Sequence, residues 1–193
     1  MINQQDFDDF CALIDTVEGH NEKDCSNYLH HATDLLLSQT PIATIEIAQE
    51  ARSPYGRSDY IVIADMKNAL GQTERHMIFW ELKAPQCSLV ERDDANSRYR
   101  PTKDLVKAET QLLHYVHQAR MDGDLQGFWN INFPDNIKAG GVIIGRDQRI
   151  VRPGADIHEG RARHSFRIRE KSIYDAAGFK VLTWDRIMEF IQP

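Results

Sequence analysis

What the sequence lacks narrows the field first. No apolar run approaches the ~20 residues of a membrane-spanning helix. Cysteine is scarce. Cys11, Cys25 and Cys87 are an odd, widely spaced set, which argues against a disulfide framework and predicts a reduced, cytoplasmic chain. The opening MINQQDFDDF is acidic, so neither a secretory signal nor a transit peptide is expected. Cys11, Cys25, His30 and His31 match no standard zinc spacing. There is no Gly-rich phosphate loop, no GxSxG and no HExxH, which leaves metal-independent small-molecule enzymes with little support. Internal repeats and low-complexity segments are absent as well.

What is present is an ordinary globular composition, 41% hydrophobic and 27% charged over 193 residues, suited to one compact domain. The net charge of −6 is unevenly spread. Residues 1–25 carry seven acids against Lys23, while residues 146–171 carry eight bases against four acids. A near-neutral body with a basic stretch can still meet phosphate. Charge alone fits a solvated face equally well.

Apolar spacing predicts a first helix through DDFCALIDTV, with Phe10, Leu13, Ile14 and Val17 on one face, and a second through CSNYLHHATDLLLSQ, capped by Ser26 or Asn27. IATIEIAQE, SDYIVIAD and HMIFWELK read as strands, the first two joined by an SPYGR turn, in a three-stranded antiparallel meander. CSLVERDDANSRYRPTK reads as a long polar loop. DLVKAETQLLHYVHQARM is the strongest helix, with Leu105, Ala108, Leu112, Val116 and Ala119 aligned. AGGVIIG reads as a short buried strand and SFRIRE as an edge strand. YDAAGFKVLTWDRIMEFI reads as helix, glycine stop, strand and last helix. The sum is an α/β protein with a mixed sheet covered by helices.

MIFWELKAPQ sets Glu81 and Lys83 inside a hydrophobic strand. Residues i and i+2 share a face, so Phe79, Glu81 and Lys83 point one way and Ile78, Trp80 and Leu82 the other. Antiparallel pairing with the preceding strand brings Asp59 to the same end. Two carboxylates held together repel unless a proton or a cation sits between them. Hard oxygens suit Mg²⁺ or Mn²⁺, and the Leu82 backbone carbonyl offers one more. A lysine beside them can orient or deprotonate a water, or stabilise developing negative charge, as phosphodiester hydrolysis requires. The alternative is a buried ion pair of Lys83 with Glu81 or Asp59.

The order Asp59, then ELK at Glu81–Lys83, resembles the PD-(D/E)XK nuclease motif, with SD where that motif often has PD. QLLHY, Gln111–Tyr115, is similar to the QxxxY motif of RecB-like nucleases. Taken with GGVIIGRD, these most resemble the Shedu (DUF4263) domain of bacterial anti-phage defence, over roughly residues 41–190. The resemblance implies a restriction-endonuclease-like fold with N-terminal helices, residues 1–40 forming a helical segment packed on a nuclease-like domain at 41–193. It implies a metal-dependent deoxyribonuclease with Mg²⁺ or Mn²⁺ as cofactor and DNA as substrate. Asp59, Glu81 and the Leu82 carbonyl would hold the ion and Lys83 the water or phosphate. Gln111 would steady them and Tyr115 would support it. An extra acid from the first helices is common in this fold, and Glu18 and Glu22 both qualify. Arg161, Arg163 and Arg167 are expected to meet DNA phosphates, with Arg92, Arg98, Arg100 and Lys103 as the other path. A cytoplasmic homo-oligomer is expected. The competing expectation is a catalytically silent module that binds DNA or serves in assembly.

Overall fold

A computed structural model describes residues 2–17, 19, 21–37, 41–53, 56–93 and 98–193. The chain opens on helix α1 (Gln4–Asp15), capped by the Asn3 side chain, which accepts from the Asp6 amide at 2.9 Å. Phe10 and Ile14 are buried as the spacing predicts, but Val17 lies beyond the helix end and is 72% exposed. The predicted second helix is broken into short turns: α2 (Glu22–Ser26), a 3-10 turn (Leu29–Ala32) and α3 (Thr33–Leu36). Side chains compete there for the carbonyls that a continuous helix would use. Ser26 Oγ donates to Lys23 O at 2.6 Å and Thr33 Oγ1 to His30 O at 2.9 Å. Neither Ser26 nor Asn27 caps a helix start. The apolar spacing still works, since Leu29, Ala32 and Leu36 are buried. The end of the predicted helix, at 38–39, lies outside the described residues.

Three antiparallel strands follow, β1 (Ala43–Ser53), β2 (Gly56–Lys67) and β3 (Thr73–Leu82). Pro54 and Tyr55 of the predicted turn lie outside the described residues. The polar stretch after β3 is no simple loop. It carries a hairpin of β4 (Val90–Asp93) and β5 (Arg98–Pro101), in which Glu91 faces Arg100 and binds it at 3.0 Å. Helix α4 (Lys103–Met121) comes next, capped by Thr102, then α5 (Gly123–Trp129) and β6 (Ile137–Ile143).

SFRIRE belongs to helix α6 (Glu159–Arg169), not to an edge strand. Its alternation of apolar and charged residues over six positions imitates a strand. Over the longer window Ala162, Phe166 and Arg169 fall at helical spacing and turn inward. A π-turn (Glu170–Tyr174), the short α7 (Asp175–Ala177), β7 (Lys180–Leu182) and α8 (Trp184–Ile191) close the chain.

The central sheet runs β1-β2-β3-β6-β7, antiparallel through β3 and parallel beyond it. One face, with Tyr60, Val62, Ile78, Trp80 and Leu82, packs on α1–α3 and α8. The other, with Ile61, Ile63, Met77 and Phe79, packs on α4 and α6. This is a mixed central sheet flanked by helices, with helices at its start. Among the described residues no helix is long and apolar enough to cross a membrane.

β6 carries one extra residue against β3, as Phe79 faces Ala139 but Trp80 faces Gly141. The residue between them is Gly140, where a Cβ would overlap the Trp80 indole. At the end of β6 the Arg146 guanidinium is buried. It donates to the Ile14 carbonyl at 2.7 Å, to Asp15 at 2.7 Å and to Asp185 at 2.9 Å, fastening α1 to the sheet and to α8. Asp185 is only 13% exposed, whereas Asp15 is 66% exposed. Arg146→Met therefore strands a buried carboxylate and is expected to cost about 3–5 kcal/mol. Asp15→Asn is expected to cost less than ~1 kcal/mol. Urea denaturation of the two variants checks this, and equal losses would contradict it.

Candidate active site

β2 and β3 pair as far as Tyr60↔Trp80 and then part. β2 continues against β1 to Ser53↔Gly56, and β3 continues against β6 to Leu82↔Ile143. Continuing the broken register by one residue sets Asp59 opposite Glu81. The Leu82 amide, left without a strand partner on that side, donates to Asp59 Oδ2 at 2.9 Å. On the other side the Lys83 amide donates to Ile143 O at 2.8 Å, and the Trp184 indole donates to Lys83 O at 2.8 Å. The backbone of the ELK segment is thus held from both sides.

Glu81 is 2% exposed. Its Oε1 accepts from Lys83 Nζ at 2.6 Å, and Lys83 Nζ also donates to the Leu82 carbonyl at 3.1 Å. Burial chiefly, and the Asp59 carboxylate next, push the Glu81 carboxyl up to about 8, against the pull of Lys83. For Lys83, burial works to lower the pKa, but Glu81, Asp59 and Glu22 outweigh it and raise it above its ordinary value. Both shifts have one sense: the site takes up positive charge.

Glu81 shares the face of β3 that looks toward α4. Gln111 and Tyr115 stand one helical turn apart on α4, beside its buried stripe. Burial first, and then the Glu81 carboxylate, raise the Tyr115 hydroxyl, while a hydrogen bond with Gln111 opposes them. Glu22, at the start of α2, reaches Lys83 electrostatically. Of the two early acids, Glu18 lies outside the described residues, and Glu22 is near enough for its charge to act on Lys83. Gln86, just past the strand and not picked out by motif reading, donates to the Thr16 carbonyl at 2.7 Å and ties the end of the first helix to this corner. A polar residue three positions after ELK, past Ala84 and Pro85, is the only signal that would have found it.

Among the described residues, Glu22 Oε2, Glu81 Oε2, Gln86 Oε1 and Gln111 Oε1 are buried carboxylate and amide oxygens without a hydrogen-bond donor. Buried polar atoms are nearly always satisfied, so an open oxygen such as Glu81 Oε2, beside Asp59, is an acceptor that a cation or its water could fill. Among the described residues no three histidine, cysteine or acidic side chains converge in a metal-holding group. Such a donor set does not suit zinc or calcium. It suits Mg²⁺, which keeps most of its waters and takes one or two carboxylates and substrate phosphate.

The basic residues of α6 stand elsewhere. Arg161, Arg163 and Arg167 are all exposed. Arg163 is engaged by Glu159 at 2.7 Å and by the Asp147 carbonyl at 2.6 Å. α6 is anchored to α4 by Arg169, which meets Glu109 at 2.7 Å and Tyr174 at 2.6 Å. Tyr174 hydrogen-bonds Glu109 as well. Glu109 and Gln111 leave α4 about 200° apart, since each residue turns about 100°. α6 therefore lies on the flank of α4 away from Asp59 and Glu81. On the alternative path, Arg92 and Arg100 lie in the β4–β5 hairpin, and Arg92 meets Asp156 at 3.4 Å.

Fold and site together define an α/β protein with two carboxylates and a lysine at a split between strands. The chain belongs to the family described as Shedu protein SduA, C-terminal, whose model matches residues 19–188. No curated protein and no solved structure matches it. Membership of this family suggests a part in anti-phage defence.

The raised Glu81 carboxyl has a measurable consequence. Without metal the folded protein keeps a proton that the unfolded chain releases above 4.5, so stability falls as pH rises from 4.5 to about 8. Lys83 stays charged across this window and adds no slope. Glu81→Gln should remove the fall, gaining on the wild type by up to ~1.4 kcal/mol per pH unit. Denaturation in EDTA at several pH values checks it, and parallel curves would contradict it.

Proposed function

We propose that this chain is a metal-dependent deoxyribonuclease of the PD-(D/E)XK type that hydrolyses DNA phosphodiester bonds in anti-phage defence. What carries the reading is the meeting of Asp59, Glu81 and Lys83 where β2 and β3 part, beside buried acceptors that lack donors. In this reading Asp59, Glu81 and the Leu82 carbonyl hold Mg²⁺ or Mn²⁺. A bound ion there would polarise the scissile phosphate and make its water a stronger nucleophile. Lys83 orients that water or neutralises charge gathering on the phosphate. Gln111 holds Lys83 or the DNA backbone, and Tyr115 keeps Gln111 aimed. Glu81 is almost fully buried and its neighbours are half-buried, so interactions centred on it act in a lowered dielectric.

A second reading draws on the closed Glu81–Lys83 pair at 2.6 Å, which suits a silent module kept for DNA binding or assembly. Incubation of the purified protein with linear, circular and single-stranded DNA, with Mg²⁺, Mn²⁺ or EDTA, separates the two. Cleavage that needs metal is expected. Glu81→Gln and Lys83→Ala should each lower its rate by about 10²-fold or more while the proteins stay folded. Retained cleavage in Lys83→Ala with a large fall in melting temperature would favour the ion pair as a structural element.

DNA contact outside the site is assigned to the exposed arginines of α6. Each phosphate neutralised on a duplex contributes about 0.9 to the slope of log affinity against log salt. Changing Arg161, Arg163 and Arg167 together to glutamine is expected to flatten that slope and weaken binding to all sequences alike. Fluorescence anisotropy across a salt series measures it. An unchanged slope would move the DNA path to Arg92, Arg98, Arg100 and Lys103.

A further inference from the structure

Lys83 has a second role that its geometry implies. Its ammonium lies 2.6 Å from Glu81 Oε1 and 3.1 Å from the Leu82 carbonyl. Those are two of the oxygens assigned above to a divalent cation. A cation bound to them would stand against the ammonium with no solvent between, and like charges at such range repel strongly when buried. Both cannot hold these oxygens together. Lysine is a point charge on a flexible four-carbon stem, able to turn about several bonds.

The structure also offers a place for it to turn to. Glu22 reaches Lys83 electrostatically, and its Oε2 is buried without a donor. A buried carboxylate oxygen left without a donor is costly, so it is a ready acceptor. The residues on either side of Glu22 are fixed: Asn21 donates to the Leu13 carbonyl at 3.2 Å, and Cys25 and Ser26 of α2 are buried.

We propose that Lys83 is a two-position side chain. It closes the cation position on Glu81 and the Leu82 carbonyl while that position is free, and it turns to Glu22 when a divalent cation takes its place. The proposal rests on the metal-dependent reading above. It makes the N-terminal segment a determinant of metal affinity, through an acid that never touches the metal.

Mn²⁺ titration of the purified full chain, followed by the electron paramagnetic resonance signal of the free ion, tests this without any DNA. The set is wild type, Lys83→Gln, Lys83→Met, Glu22→Gln and the Lys83→Gln/Glu22→Gln double variant, with folding checked by circular dichroism. Removing the competing ammonium should tighten Mn²⁺ binding about tenfold or more in both lysine variants. Glu22→Gln alone should weaken binding, and should have no effect once Lys83 is gone. Equal or weaker binding in the lysine variants, with wild type still binding, would overturn the switch and leave the metal-dependent reading standing. Equal loss from Glu22→Gln in both backgrounds would make Glu22 a direct ligand and overturn the second position. Binding by no variant would overturn both.

Discussion

The parting of β2 from β3 after the Tyr60↔Trp80 pair is the constraint on which the rest depends. A ladder that continued would bury the Leu82 amide in a backbone hydrogen bond and leave no room at its end. Because it stops, that amide needs another acceptor, and Asp59 supplies one through its side chain. The same gap leaves Glu81 facing Asp59 at the rim of the α4 layer. Each strand keeps a partner on its outer side, β1 for one and β6 for the other, so the gap can open without unravelling the sheet. The extra residue at Gly140 absorbs a register change just before Glu81. Trp184 and Ile143 hold the backbone of Lys83. The main chain of this corner is hydrogen-bonded on both sides.

Its electrostatics follow from burial. Two acids and one lysine share a half-buried corner with Glu81 at its buried centre, so the site carries an excess of negative charge. That excess is expressed as a carboxyl that keeps its proton and an ammonium held more firmly than usual. Such an arrangement is a poor way to gain stability, because the desolvation of buried charges offsets much of their attraction. Donorless oxygens on Glu22, Gln86 and Gln111 add to that cost. Stability elsewhere has to compensate, and the two apolar layers provide it.

Much of this was legible in the sequence. The two-residue period of β3 gave away its faces, since Ile78, Trp80 and Leu82 occupy one core and Phe79 the other. The meander order follows from short connections, and the α4 stripe from its spacing. Other parts were hidden for physical reasons. SFRIRE alternates like a strand over six residues, and its helical spacing emerges only over the longer window that packs against β5 and α4. The polar stretch after β3 becomes a hairpin through Glu91 and Arg100, a cross-strand pair nine residues apart. The second helix breaks where serine and threonine side chains take backbone carbonyls. Arg146 and Asp15 meet across 131 residues, which no local pattern discloses. Nor does spacing say which early acid reaches Lys83, because that depends on how α1 and α2 fold back over the sheet end.

The proposed chemistry requires that Asp59, Glu81 and the Leu82 carbonyl bind a divalent cation. Crystals grown with Mn²⁺ and measured at its absorption edge test this directly. An anomalous peak about 2 Å from oxygens of Asp59 and Glu81 is expected, with the Lys83 ammonium moved off the Leu82 carbonyl. No peak there at saturating Mn²⁺, with Lys83 still bound to Glu81 and Leu82, would contradict it.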